Sequence, residues 1–388
     1  MAVQAHDAQI GFAEESTYGV YVAPTRFYPL FEQGLTDGYA VERLESEGVV
    51  AGSDVIGTSQ WNGGPVTIGG DVGFELYQDF AGLLFKHMFG TVNTTGSGPY
   101  THTFTPGSID DLSLTCQVGI PPVLGSAVIP VNLLGCKVTD WELACNADEI
   151  ATLGLTIAAR DAHYGSRTVS DGVTTNTDAT VTSSTGAFTQ ADVGKLISGT
   201  GITAGTTIAS INSSTSIELS AAATADGTGL TLTIGAALAS ASYGTLADKP
   251  FKFNHAAVTV GGSSVEVTSL KISGANALKT DRRFLGSQLA GKALREGRRE
   301  FMVELGQEFR DLNAINALKN GTEVAVVASF TGASTSATIT MNCRYDEVTP
   351  STDGKSIAEQ PVKLKCVRSG SGNSTAISAV LVSASGTF

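Results

Sequence analysis

Two stretches decide how this chain is read: GGPVTIGGDVGFEL (residues 63–76), running into YQDFAGLLFKHMF (77–89), and EGRREFMVELGQEF (296–309), running into FRDLNAINALK (309–319). In each, apolar and polar residues first alternate and then recur every three or four positions. The alternation predicts a half-buried strand. The wider spacing, carried by Phe80, Leu83 and Leu84 and by Leu312, Ile315 and Leu318, predicts a helix that stops at Gly90 or at Asn320–Gly321. The flanks match too. LSLTCQVGI, KVTDWELAC and IATLGLTIA follow the first helix, EVAVVASF, ATITMNC and PVKLKCV follow the second, and Cys145 and Cys343 fall on equivalent strands. Upstream, residues 27–54 and 267–288 each hold a strand and a long polar loop. The order of elements therefore reads as two diverged copies of one β-rich unit.

Between the copies, residues 165–237 are rich in Thr, Ser, Gly and Ala, with Phe188 as the one aromatic. Regularly placed Val, Ile and Leu in DATVTSS, KLISGTGI, SIELSAA and LTLTIG predict a small inserted β-domain rather than a disordered linker. The expected organisation is an N-terminal arm (1–27), a first β-domain (28–164), the insert (165–237), and a second β-domain with a C-terminal segment (238–388). The fold class is mainly β with few helices: two tandem sandwich or barrel domains, each with one flanking helix, plus the insert.

Composition narrows the function. Apolar residues make up 42% of the 388, enough for folded cores, whereas only 16% are charged, a deficit that points to surface covered by neighbours. A formal charge of −13 disfavours tight binding to nucleic acid phosphates. No basic and apolar leader opens the chain, and the longest apolar run, 120–134, is broken by Pro121, Pro122 and Pro130, so neither a signal peptide nor a membrane span is expected. Five dispersed cysteines do not form a disulfide framework and read as buried thiols.

The screen for chemistry predicts no catalytic, cofactor or metal site. The five histidines are isolated, GTGITAG (199–205) has the wrong spacing and no following helix for a dinucleotide loop, and the adjacent carboxylates Asp110–Asp111 and Asp148–Glu149 would point to opposite faces of a strand. Charge on the two matching loops is more informative. Residues 36–60 carry Asp37, Glu42, Glu45, Glu47 and Asp54 against Arg43 alone, whereas residues 274–300 carry Lys279, Arg282, Arg283, Lys292, Arg295, Arg298 and Arg299 against three carboxylates. Opposite charge on equivalent loops suits contacts that fix register between copies in an assembly.

The segment IGFAEESTYGVYVAPTRFYPL (10–30) resembles the opening of phage tail tube proteins, in which a GxxEExTYGTxxxPTxF-type run precedes the first strand. With the strand, loop, strand, helix and strands that follow, the resemblance spans roughly residues 10–164 and 246–370, and the insert is similar to β-modules of phage structural proteins. The family implies the tube of a long, non-contractile (siphophage) tail: a virion protein, made in the host cytoplasm, that polymerises into stacked rings around a channel for DNA. On that resemblance, three duplicated chains form a pseudo-six-fold ring, with a hexamer of whole chains as the alternative. Rings stack through the long loops and the arm, and the insert decorates the outside. Partners are other copies, other tail proteins at the tube ends, and DNA and tape measure in the lumen without specific binding. Asp71, Glu75, Glu304 and Glu308 are the candidate lumen carboxylates. A carbohydrate-binding or adhesin-like surface protein is the alternative from another class, and a glycan hydrolase the third.

Overall fold

The computed structural model describes the chain apart from residues 1–4, 31, 36–39, 49–53, 78–80, 124–126, 244–248, 353–356, 371–375 and 388. The chain divides into two compact units. One comprises Met1–Tyr28, Ser113–Cys136 and Ala159–Ser242, the other Pro29–Leu112, Lys137–Ala158 and Tyr243–Phe388.

In the first unit, strand Gln9–Glu14 pairs with Arg26–Tyr28 on one edge and Leu114–Ile120 on the other. Leu114–Ile120 forms a hairpin with the first half of Ile129–Asn146, whose other edge takes Asp161–Tyr164. Part of the segment read as an arm (1–27), Gln9–Glu14, is thus a sheet strand, with Ile10 and Phe12 fully buried. The insert in this unit is ordered: a six-stranded sheet from Arg167–Thr174 to Gly227–Ile234 encloses Val169, Val181, Phe188, Ile197, Ile208, Ile217, Leu219, Leu232 and Ile234. Its buried Asp192 is held by Arg167 (2.9 Å) and Lys195 (3.1 Å), so the charge is paired where it is desolvated.

In the second unit, the second half of Ile129–Asn146 pairs with Thr152–Ala159 on one edge and Val267–Ala275 on the other. Beyond Val267–Ala275 the ladder continues through Glu300–Gln307 and Val362–Cys366 to Ser336–Val348. Ser336–Val348 then takes Glu323–Thr331 along one edge and Ile377–Ser383 along the other.

The pairings establish the duplication. Trp61–Glu75 pairs with Thr152–Ala159 as Glu300–Gln307 pairs with Val362–Cys366. Leu114–Ile120 pairs with Ile129–Asn146 as Glu323–Thr331 pairs with Ser336–Val348. Gln9–Glu14 matches Ala256–Val260, since each adds to the equivalent strand and carries a short hairpin partner. Among the described residues, the first copy has an extra hairpin without a counterpart in the second, Gly90–Thr95 with Tyr100–Pro106, which pairs with Ile377–Ser383. Cys145 and Cys343 do lie on equivalent strands but face different neighbours, Leu270 and Cys366.

The helices are Gly82–Phe89 and Asn313–Asn320; the second starts later than its periodicity suggests, and Phe80, expected in the first, lies outside the described residues. Before the second helix the ladder still holds the chain, since Phe309 donates to Ala358 O (2.8 Å). Tertiary pairing outweighs local propensity there. Gly321, left-handed at φ 61°, closes the second helix. On the first helix Phe85, Met88 and Phe89 are fully buried.

Candidate functional site

Three features built by these strands bear on function. The first is the anchor of the N-terminal motif, in the first unit. Glu15, the second glutamate of GFAEESTYG, is buried and accepts hydrogen bonds from Ser113 Oγ (2.7 Å), Thr115 Oγ1 (3.1 Å), Gly19 N (2.7 Å) and Gly135 N (2.8 Å). Only a carboxylate has enough acceptor sites for this set. Tyr18 lies under the Arg160 guanidinium at 5.7 Å. The motif therefore fixes the first strand onto the hairpin that follows.

The second is the junction of the two copies inside the second unit. Its ladder runs from Ser269↔Asn146 to Ala275↔Asp140. Over it, Phe89 packs on Trp141 (5.5 Å) and Phe301 (6.5 Å), joining the helix of one copy to a strand of the other. The basic loop of the second copy closes the junction: Arg283 donates to Val66 O (2.6 Å), Gln288 O (2.9 Å) and Thr67 Oγ1 (3.1 Å), while Gln288 O accepts from Val66 N (2.9 Å). Lys292 pairs with Asp111 (2.8 Å), and Arg299 donates to Phe89 O (2.6 Å). Burial pushes the Arg299 guanidinium down to about 10. Lys279 pairs with Glu296 (2.9 Å), and Arg282 sits against Phe284. Arg295 and Arg298 lie in the same loop. Five loop cations assigned to assembly, Lys279, Arg282 (to Lys292 O, 2.6 Å), Arg283, Lys292 and Arg299, thus have partners within their own chain. On the matching acidic loop Glu42, Glu45, Glu47 and Asp54 are exposed, and Asp37 lies outside the described residues.

The third is the solvent face of the sheet that crosses the junction. Val72, Phe74, Trp141, Leu143, Ile272, Val303 and Leu305 point into the core, so their neighbours point out. The outward set includes Asp71, Glu75, Asp140, Glu142, Glu300 and Glu304, with Lys271, Lys363 and Lys365 among them. A shallow concavity there is lined by Asp71, Asp140, Glu142, Thr156, Ser273 and Glu300. The lysines are paired: Lys271 with Glu142 (2.6 Å), Lys363 with Glu347 (3.0 Å), and Lys365 with Glu300. The face is therefore acidic on balance but laced with ion pairs. Glu308 stands apart, beyond the strand end, bridging to Glu359.

Open ladder edges flank this sheet. Among the described residues, Glu32–Gln33 pairs only with Trp61–Glu75, whereas its counterpart Val267–Ala275 is paired on both edges. Among the described residues, 345–348 likewise pair only with Val362–Cys366, because Glu323–Thr331 ends opposite Arg344. Among the described residues no group of three or more His, Cys, Asp or Glu side chains is placed to hold a metal ion, and no helix is long and apolar enough to cross a membrane.

The fold defines a class first, a tandem β-protein whose two copies are joined by a strand ladder, with open ladder edges among the described residues. The family model described as phage tail tube protein matches residues 5–234 and 210–366, and the chain belongs to that family. A search of the curated proteins finds no match. The protein is accordingly a structural component of the virion tail, a subunit that assembles with its own kind and with other tail proteins into the tube. Trp141, the Arg283–Gln288 tie and the anchoring role of Glu15 had no sequence spacing to announce them, although Glu15 lies within the motif that carried the resemblance.

Proposed function

We propose that three chains close each ring of a non-contractile tail tube, with pseudo-six-fold symmetry, and that the outward sheet face lines its channel. The observation that carries this is the internal ladder between Val267–Ala275 and residues 140–146. Repeating that contact between chains brings the open edge of residues 345–348 to the open edge of Glu32–Gln33 on the next copy. The contact is head-to-tail, so it propagates until rotation closes the ring, and pairing satisfies edges that would otherwise be an aggregation hazard.

Asp71, Glu75 and Glu304, joined by Asp140, Glu142 and Glu300, then present net negative charge to passing DNA, which slides with the tape measure without specific binding. Glu308 is placed at the rim. Glu42, Glu45, Glu47 and Asp54 meet Arg282, Arg295 and Arg298 between stacked rings, while the insert (165–237) decorates the outside. The tube domains are residues 28–164 and 238–388, with residues 1–27 as the segment that leads into the first. No catalytic activity belongs to this role.

Native mass measurement of isolated rings, with rotational averaging of end-on views, tests the stoichiometry. Three chains with six similar lobes are expected; six chains per ring overturn the reading.

A further inference from the structure

Cys343 and Cys366 stand directly opposite each other on neighbouring strands, Ser336–Val348 and Val362–Cys366. Their Sγ atoms are 3.4 Å apart. The adjacent position is the hydrogen-bonded one, since Val367 N donates to Asn342 O (2.8 Å). Cys343 and Cys366 therefore occupy a non-hydrogen-bonded pair, where opposite Cα atoms approach to about 4.5 Å and side chains come closest. That separation falls inside the range disulfides span, about 4.4–6.8 Å between Cα atoms.

Cys116 and Cys136 are neighbours but do not stand opposite each other and are both fully buried, and Cys145 has no cysteine opposite it. Cys116 faces Leu133, Cys136 faces Leu114, and Cys145 faces Leu270 and is followed by Asn146 at the strand end. Access also differs. Cys343 is fully buried, whereas Cys366 is partly exposed at the last residue of its strand.

We propose that Cys343 and Cys366 are a cross-link site that forms a disulfide when the protein meets a low-molecular-weight disulfide outside the reducing cytoplasm. The Cys366 thiol loses its proton to solvent, and the thiolate attacks one sulfur of the small disulfide. The small S–S bond breaks, a mixed disulfide forms on Cys366, and one small thiolate leaves and takes up a proton. Cys343 then loses its proton and attacks the Cys366 sulfur, expelling the second small thiolate. Two protein thiols are oxidised and the reagent is reduced to two thiols, so no metal or oxygen is needed.

The hydrogen bond from its neighbour, and burial, hold the Cys366 thiol well above the usual thiol range. Thiolate is therefore scarce, and the exchange is slow at neutral pH and quickens as pH rises. In the host cytoplasm the thiol pool keeps the pair reduced. After release the bond ties two strands of the sheet across residues 343–366 and restricts their unfolded chain. This inference does not depend on ring stoichiometry or on which face lines the channel.

The test uses the full-length native chain with all five cysteines. It is incubated with oxidised glutathione in mildly alkaline buffer, checked by circular dichroism for an unchanged fold, quenched in acid, then denatured, alkylated and digested. The expected result is a peptide pair linked through Cys343 and Cys366, loss of alkylation at those two positions only, reversal by a reducing agent, and a higher unfolding temperature for the oxidised form. Full alkylation of all five cysteines, glutathione remaining on Cys366, or a link involving Cys116, Cys136 or Cys145 each overturns the proposal. Cys366→Ser serves as a second check, since it removes the link and the oxidation-dependent rise in unfolding temperature together.

Discussion

Trp141 lies over Gly274 so closely that a Cβ on the glycine would sit 2.3 Å from the indole ring. The two residues face each other across the ladder that joins the first copy to the second. Gly274→Ala must displace the indole, which also touches Phe89 and Phe301. Overpacking of this kind costs about 1–3 kcal/mol. Urea unfolding should show the loss in midpoint; a change within about 0.5 kcal/mol, the size of an ordinary surface substitution, would mean the junction yields freely.

Glu15 serves four donors, two of them backbone N–H groups. Glu15→Ala leaves the buried donors on Ser113, Thr115 and Gly135 without this acceptor, and each unsatisfied group costs about 1–3 kcal/mol, with water entering the space offsetting part of the total. A destabilisation of about 3 kcal/mol or more is expected, visible as a markedly lower denaturation midpoint. Retention of the wild-type midpoint would remove the motif's anchoring role.

His87 is buried on the first helix, and burial, with Lys86 and Lys137 nearby, pushes its pKa down to about 3. Because the folded value lies below the unfolded one, the unfolded chain binds a proton that the folded chain does not across the interval from about 6.5 down to about 3. Stability contributed by neutral His87 is therefore complete above the unfolded value and declines as pH falls through this window, by up to about 1.4 kcal/mol per unit. His87→Leu should flatten the difference in stability between pH ~7 and pH ~5 that wild type displays. Equal slopes in both proteins would refute the assignment.

Val348 tests the proposed ring contact. Thr349 N donates to Pro361 O (3.1 Å), so Val348, one residue earlier, turns its own backbone groups toward the open edge. A proline at such a position removes an outward donor while the internal ladder persists. Val348→Pro is expected to give folded protein that forms no tubes by negative-stain microscopy. Gln33 is the matching site on the other edge, because Gly34 N donates inward to Asp71 O (2.7 Å). Normal tubes from both variants would exclude this edge pairing.

Charge reversal should separate the loop cations into two groups. Arg283→Glu removes three hydrogen bonds to the chain's own backbone and side chains, and lowers monomer stability. Arg295→Glu with Arg298→Glu should leave the unfolding temperature nearly unchanged and reduce tube length. Tubes of ordinary length from the double variant would rule out a stacking role for that pair.

Period, turn residues and element order were properties of the chain itself. Alternation through residues 63–76 and 296–309, the change of period after each, and the glycines that end both helices are local consequences of side-chain geometry. Hence the β class, the duplication and the ordered insert were all legible before any contact was known. Charge totals on the two loops were equally legible. Partners were not, because they depend on which strands meet across long separations. The sequence pattern marks Arg283 and Arg298 alike as loop cations, and only the ladder between residues 140–146 and Val267–Ala275 brings Arg283 to Val66 while the open edges remain elsewhere. Strand alternation likewise predicts which residues share a face, but register decides what stands opposite. That is why Trp141 over Gly274, Glu15 under Gly135, and Cys343 beside Cys366 belong to the tertiary structure alone.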